Sequence, residues 1–140
     1  MARFAFARAA INPATLSRTL AEEACGALVT FEGWVRNHND GRPVLRLDYE
    51  GYEALAVREG SRIIDEAIAR FGVSGAACVH RLGSLALGDL AVWVGVTSGH
   101  RGAAFDACRY IIDEVKSRVP IWKKEYYEGG DSGWINCDTR

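Results

Sequence analysis

The sequence lacks several features that would assign a protein to a familiar class. Its four cysteines are scattered and form no CxxC pair, which disfavours both a structural zinc site and a disulfide framework. The net charge is only −1, so the strongly basic balance of a general nucleic-acid-binding surface is missing. No apolar run approaches the length of a membrane span. We interpret the N-terminal stretch as mature protein, because it lacks the continuous apolar segment of a signal peptide.

Common catalytic motifs are also missing. The chain has no GxxxxGK[ST] phosphate loop, no GxGxxG turn after a strand and no GxSxG nucleophile elbow. The three histidines lie in separate segments without HxxxH spacing, which disfavours a metal site. What is present is a chain of 140 residues with 49% hydrophobic and 25% charged residues. This size and composition predict one domain, spanning residues 1–140, with a single core.

Hydrophobic periodicity predicts a βαββαββαβ order, with strand 44–52 as the partner of strand 27–35. This order is typical of an α+β fold in which helices pack on a largely antiparallel mixed sheet. Segment 82–89 carries turn signals and is predicted as a connection. The predicted strands are 3–8, 27–35, 44–52, 76–81, 90–96 and 121–127, and the predicted helices are 14–24, 53–71 and 99–119.

A basic pair, His100 and Arg101, lies at the predicted start of the third helix, with Ser98 as the expected N-cap. Cations usually avoid this end because the helix dipole places positive partial charge there. The pair is explained if an anion binds at the free backbone N–H groups together with the two side chains. The alternative is that both side chains are solvated, or that Arg101 pairs with a distant carboxylate.

Three lysines and an arginine complete the candidate anion pocket. Lys116 borders the apolar stripe of the third helix; it either meets the helix dipole or, if desolvated, has a lowered pKa suited to acid–base chemistry. Lys123 and Lys124 are adjacent on a strand, so only one of them can face a site. Arg36 ends strand 27–35, where it is either solvated or part of a site.

Segments of this chain, taken together and in order, resemble the large, catalytic subunit of molybdopterin synthase. The resemblance implies an α/β-hammerhead-type fold and a sulfurtransferase. Such an enzyme converts cyclic pyranopterin monophosphate (precursor Z) into molybdopterin by adding two sulfurs. The segments that carry the resemblance are FEGWVRNHN (31–39), LDYEGYEALA (47–56), HRLGSLALGD (80–89), VGVTSGHRGAAF (94–105) and KSRVPIWKKE (116–125).

The resemblance also implies partners. The sulfur donor is the thiocarboxylated Gly-Gly C-terminus of a small ubiquitin-like carrier, and two large subunits form a homodimer at the centre of a heterotetramer. The resemblance implies that no metal is required, and no cofactor is expected. Composition predicts a cytoplasmic protein that binds neither nucleic acid nor membrane. Gly129-Gly130 of this chain is internal, so the chain does not resemble the carrier itself.

Site residues follow from the same motifs. The resemblance implies that Lys116 and Lys123 are catalytic. A family arginine near the C-terminus aligns with Asp138 or its neighbours, while Arg140 is offset. The implied ligands of the phosphate and pterin are Arg36, His100 and Arg101, and the implied lining residues are Trp34, Val35, Lys124 and Glu125.

Two other functional classes remain open from the sequence. One is a noncatalytic module that binds a ubiquitin-like protein or a phosphometabolite without forming product. The other is an enzyme that forms a Schiff base on Lys116 or Lys123.

Overall fold

The computed structural model describes residues 3–137, which form an α+β fold of three helices and eleven strands. The predicted fold class is therefore confirmed. The helices are α1 (Pro13–Leu20), α2 (Glu53–Phe71) and α3 (Arg101–Arg118). The strands are β1 (Phe4–Ala7), β2 (Ala27–Trp34), β3 (His38–Asn39), β4 (Arg42–Pro43), β5 (Arg46–Gly51), β6 (Gly75–Arg81), β7 (Gly83–Ala86), β8 (Leu90–Ser98), β9 (Ile121–Tyr127), β10 (Gly130–Asp131) and β11 (Ile135–Asn136).

The strands form two main sheets instead of the single sheet that the periodicity predicted. The first has the order β1-β6-β8-β2, in which only the β1–β6 pair is parallel. The second has the order β10-β9-β5-β7, with β11 also paired to β9. The prediction that β5 pairs with β2 is wrong, because β2 pairs with β8 from Ala27 to Trp34 and β5 pairs with β7 and β9. The short β3–β4 hairpin lies between β2 and β5 in the chain and forms a two-stranded sheet of its own.

Strand β7 occupies a segment that was predicted as a connection. Its four residues pair with β5 from Gly83 to Ala86. The strand is short, and both Gly83 and Gly88 have positive φ values of 93° and 82°. Turn residues at both ends thus concealed a strand whose partner lies far away in the sequence.

The long helices bury the apolar stripes that their periodicity predicted. α2 begins and ends as predicted, and Gly72 ends it in a left-handed conformation with φ of 66°. α3 packs against α2, β2 and β8. Its buried residues are Ala104, Ala107, Cys108, Ile111 and Val115.

Two helix ends differ from the prediction. α1 ends at Leu20 and not at residue 24. Ser98 is not the N-cap of α3, because β8 extends through this residue and buries it. The N-cap is His100, which has extended backbone angles and makes no capping bond with its side chain. No helix in the described part of the chain is long and apolar enough to cross a bilayer.

Candidate active site

A cavity of about 270 Å³ lies where the C-terminal end of α3 meets the second sheet. The end of β2 and the segment after it contribute to its mouth, β5 and β9 contribute strand residues, and residue 137 closes one side. Polar and charged side chains line much of it. The lining residues are Trp34, Val35, Arg36, His38, Val44, Leu47, Tyr49, Lys116, Lys123, Glu125 and Cys137.

Lys116 and Lys123 line this cavity from different elements, α3 and β9. Both are half-buried. Burial lowers the pKa of Lys116 below its ordinary value, and the neighbouring Lys123 ammonium lowers this pKa further, whereas Cys137 and Cys78 act in the opposite sense. Lys116 therefore gives up its proton more readily than a solvated lysine does.

Glu125 is a buried carboxylate that the surrounding side chains hold in place. It is 6% exposed and accepts hydrogen bonds from Asn39 Nδ2 at 2.8 Å and from the Tyr127 hydroxyl at 3.0 Å. Its backbone N–H donates to Ser132 Oγ at 2.9 Å. Lys123 and Glu125 are two residues apart on β9 and line the same cavity, as the strand period requires.

Lys124 does not line the cavity. Its side chain is directed to the other face of β9, with its Nζ atom 5.3 Å from the Trp134 ring centroid and 5.8 Å from that of Tyr126. The two adjacent lysines thus face opposite sides, as their spacing predicted. The structure brings Lys123 to the cavity and leaves Lys124 beside aromatic rings.

Arg36 lies at the mouth, directly after β2, and is exposed. Its Nη2 atom donates to Asn39 Oδ1 at 3.4 Å, so Asn39 contacts both Arg36 and the buried Glu125. Trp34 is 65% exposed at the mouth, while Val35 is buried and its N–H donates to the Asp89 carbonyl at 3.0 Å. The mouth therefore presents one guanidinium and one open aromatic face.

His100 and Arg101 are exposed and do not line the cavity of their own chain. They begin α3, whereas Lys116 lies near its end. At 1.5 Å per residue, Arg101 and Lys116 are separated along the helix by about 22 Å. One copy of the chain cannot therefore place the basic pair beside the two cavity lysines. Asp138 and Arg140 lie outside the described residues.

A family model described as MoaE protein matches residues 6–118. The chain belongs to the MoaE protein family. It is 45% identical over 124 residues to the molybdopterin synthase catalytic subunit of Thermoplasma volcanium, covering 89% of this chain and 90% of that one. These matches confirm the resemblance and the predicted enzyme class.

Solved structures agree with the MoaE assignment. Molybdopterin synthase from Staphylococcus aureus has a TM-score of 0.91 and 35% identity, covering 96% of this chain and 98% of that one. A complex of subunits 1 and 2 of the molybdopterin-converting factor from Helicobacter pylori has a TM-score of 0.74, with coverage of 91% and 87%. Its identity is 24%, so this second likeness concerns the fold.

Five lining residues of this MoaE-family cavity are not among the site residues that the sequence predicted. Tyr49 and Leu47 belong to one face of β5, so the alternation of that strand could have grouped them. His38, Val44 and Cys137 have no such signal, because they lie on short or irregular segments that only the tertiary structure brings together. Burial raises the pKa of Cys137, against the opposing effect of Lys116 and Lys123, so its thiol stays protonated.

Proposed function

We propose that this chain catalyses sulfur transfer from a carrier to a pterin substrate. The donor is the thiocarboxylated Gly-Gly C-terminus of a small ubiquitin-like protein, and the acceptor is cyclic pyranopterin monophosphate. Two such transfers yield molybdopterin. The observation that carries the proposal is the pairing of Lys116 and Lys123 in one polar cavity, with the pKa of Lys116 lowered by burial.

The cavity supplies the charges that this chemistry needs. Both the thiocarboxylate and the phosphate are anions, and the half-buried ammonium groups attract them more strongly than solvated ones would. A lysine with a lowered pKa also exchanges protons more readily near neutral pH, as required when the spent carboxylate leaves. Arg36 at the mouth is placed to hold a phosphate by charge-assisted hydrogen bonds.

The shape of the cavity supports a glycine-terminated donor. At about 270 Å³ it is small, and a Gly-Gly tail carries no side chains that would obstruct its entry. The Helicobacter pylori structure is a complex of subunits 1 and 2, which agrees with a second subunit as the partner of this chain. We place the reaction in the cytoplasm, because the related proteins are enzymes of a biosynthetic pathway.

The positions of His100 and Arg101 support a homodimer. Both side chains are exposed and far from the cavity of their own chain, so they can contribute to a phosphate site only in a second copy. β2 is an edge strand that exposes Leu28 and Phe31, which gives this copy an open edge and apolar surface for the contact. The cavity of each copy would then receive the basic pair of the other.

A reconstituted reaction with thiocarboxylated carrier and cyclic pyranopterin monophosphate tests the proposal. Lys116→Ala should lower the rate of dithiolene formation by about 10²-fold or more, since it removes both a fixed charge and a proton-transfer group. Arg58→Ala is the matched control, because it removes one positive charge from an exposed site on α2 outside the cavity.

Normal turnover by Lys116→Ala would refute the assignment. Binding of the carrier or the pterin to the wild-type protein without product would favour a noncatalytic module. Borohydride trapping of a carbonyl ligand on Lys116 or Lys123 would favour a Schiff-base enzyme.

A further inference from the structure

Tyr49 is the one tyrosine among the described residues that line the cavity. It is 6% exposed, lies on β5 between β7 and β9, and lines the cavity. The His80 ring packs edge-on against it, with centroids 4.7 Å apart and an interplanar angle of 86°. Because His80 is itself buried, the tyrosine ring is held from behind and its hydroxyl has little freedom to turn away.

The hydroxyl of Tyr49 differs from those of the other packed tyrosines in its hydrogen bonding. The hydroxyls of Tyr110, Tyr126 and Tyr127 donate to carboxylates at 2.7, 2.8 and 3.0 Å, respectively. Within residues 3–137, no group hydrogen-bonds to the hydroxyl of Tyr49, although the Glu125 carboxylate is close enough to affect its pKa. The Tyr49 hydroxyl is also absent from the described side-chain atoms that are fully buried without a partner, so it is open to the cavity and can donate to a ligand there.

The same surroundings keep the Tyr49 hydroxyl protonated. Burial raises the pKa of Tyr49 above its ordinary value, and the nearby Cys137 and Glu125 raise it further. The phenol is therefore a neutral donor at any working pH. It shares the cavity with Lys116 and Lys123, whose ammonium groups attract anions to the same place.

We propose that Tyr49 contacts the substrate, its hydroxyl donating a hydrogen bond to an oxygen or sulfur acceptor of the ligand that fills the cavity. This inference rests on the proposed function, because it needs a ligand seated beside the two lysines. The acceptor belongs either to the pterin or to the thiocarboxylate tail of the carrier. Both are electron-rich groups that gain from a fixed neutral donor in a cavity with restricted access to water.

The test compares two substitutions that each remove one hydroxyl. Tyr49→Phe and the matched control Tyr110→Phe are assayed in the reconstituted complex. The two ligands are thiocarboxylated carrier and cyclic pyranopterin monophosphate, and the concentration of one ligand is varied at a time. Tyr49→Phe should lower kcat/KM by about 10-fold or more, as expected for a hydrogen bond to a charged acceptor. Its melting temperature should not fall, because no hydrogen bond within the protein is lost.

The control should show the opposite pattern. Tyr110→Phe loses the bond to Glu66, so its melting temperature should fall while its kcat/KM stays at the wild-type value. The ligand whose kcat/KM falls in Tyr49→Phe identifies the acceptor, and a fall for either supports the proposal.

Wild-type kcat/KM for both ligands in Tyr49→Phe would overturn the inference and leave the proposed function intact. A loss of activity that accompanies a lowered melting temperature would also overturn it, since Tyr49 would then be structural. An inactive wild-type complex would overturn the proposed function and this inference together.

Discussion

The glycine in the middle of α2 allows a sharp test of the packing. Gly60 lies inside the helix, where glycine is destabilising by about 1 kcal/mol relative to alanine. Helix propensity alone therefore predicts that Gly60→Ala stabilises the protein. In the structure, however, an added Cβ would lie 2.3 Å from Cγ and 2.4 Å from Cδ2 of Phe4.

The steric effect should exceed the gain in helix propensity. Non-bonded carbon atoms pack at about 3.5–4.0 Å, so the Phe4 ring would have to move by more than about 1 Å. Phe4 is completely buried, and its ring packs against Phe6 with centroids 5.4 Å apart, so little space is free for this movement. Overpacking of this kind lowers the free energy of unfolding by about 1–3 kcal/mol. The clash here involves Phe4 Cγ, the ring atom nearest the backbone, so we expect a cost near the upper end of this range. We expect a net loss of roughly 2 kcal/mol in the free energy of unfolding.

Urea denaturation, monitored by circular dichroism, measures this change in the free energy of unfolding. Gly102→Ala is the matched control, because Gly102 also lies in a long helix but has no atom within 4 Å of its added Cβ. The control should be neutral or stabilised by up to about 1 kcal/mol. Stabilisation of Gly60→Ala to the same extent as the control would refute the packing argument.

Three further predictions concern protonation and assembly. Lys116→Arg keeps the positive charge, but arginine does not titrate in the working range. The rate–pH profile should therefore lose the ionisation that is due to Lys116, whose pKa lies below the ordinary lysine value. An unchanged profile contradicts this prediction. Hydrogen bonds from Arg118 lower the pKa of Glu66 from its ordinary value of 4.5 to about 2. The stabilisation of the folded protein by these bonds is therefore complete above about pH 4.5 and is lost as the pH falls towards 2. Glu66→Gln should remove this acid-sensitive contribution to the free energy of unfolding, which is up to about 1 kcal/mol after solvent screening. Urea titrations of both proteins at pH 7 and pH 3 measure it, and an equal loss of stability on acidification in wild type and variant contradicts the prediction. Phe31→Glu on the open β2 edge should shift the sedimentation coefficient to that of a monomer, and a persistent dimer would exclude this face.

The local elements were readable from the sequence because their signals are local. The apolar stripe of α3 and the effect of Pro120 on the preceding residue located the helix within two residues at each end. Gly72 marked the end of α2 through its tolerance of a left-handed conformation. The pairing of β5 was not readable, because strand partners are chosen by contacts between residues far apart in the chain.

The candidate site divides in the same way. The two-residue period of a strand determined that Lys123 and Lys124 face opposite sides, and the motifs indicated that the cations act together. Only the tertiary structure decided which lysine faces the cavity, since that depends on where the end of α3 lies over β9. It also separated His100 and Arg101 from Lys116, because a rigid helix holds its two ends apart. Sequence thus determined the chemical groups and their local directions, while long-range packing decided which of them share a cavity and left the Tyr49 hydroxyl without a partner inside it.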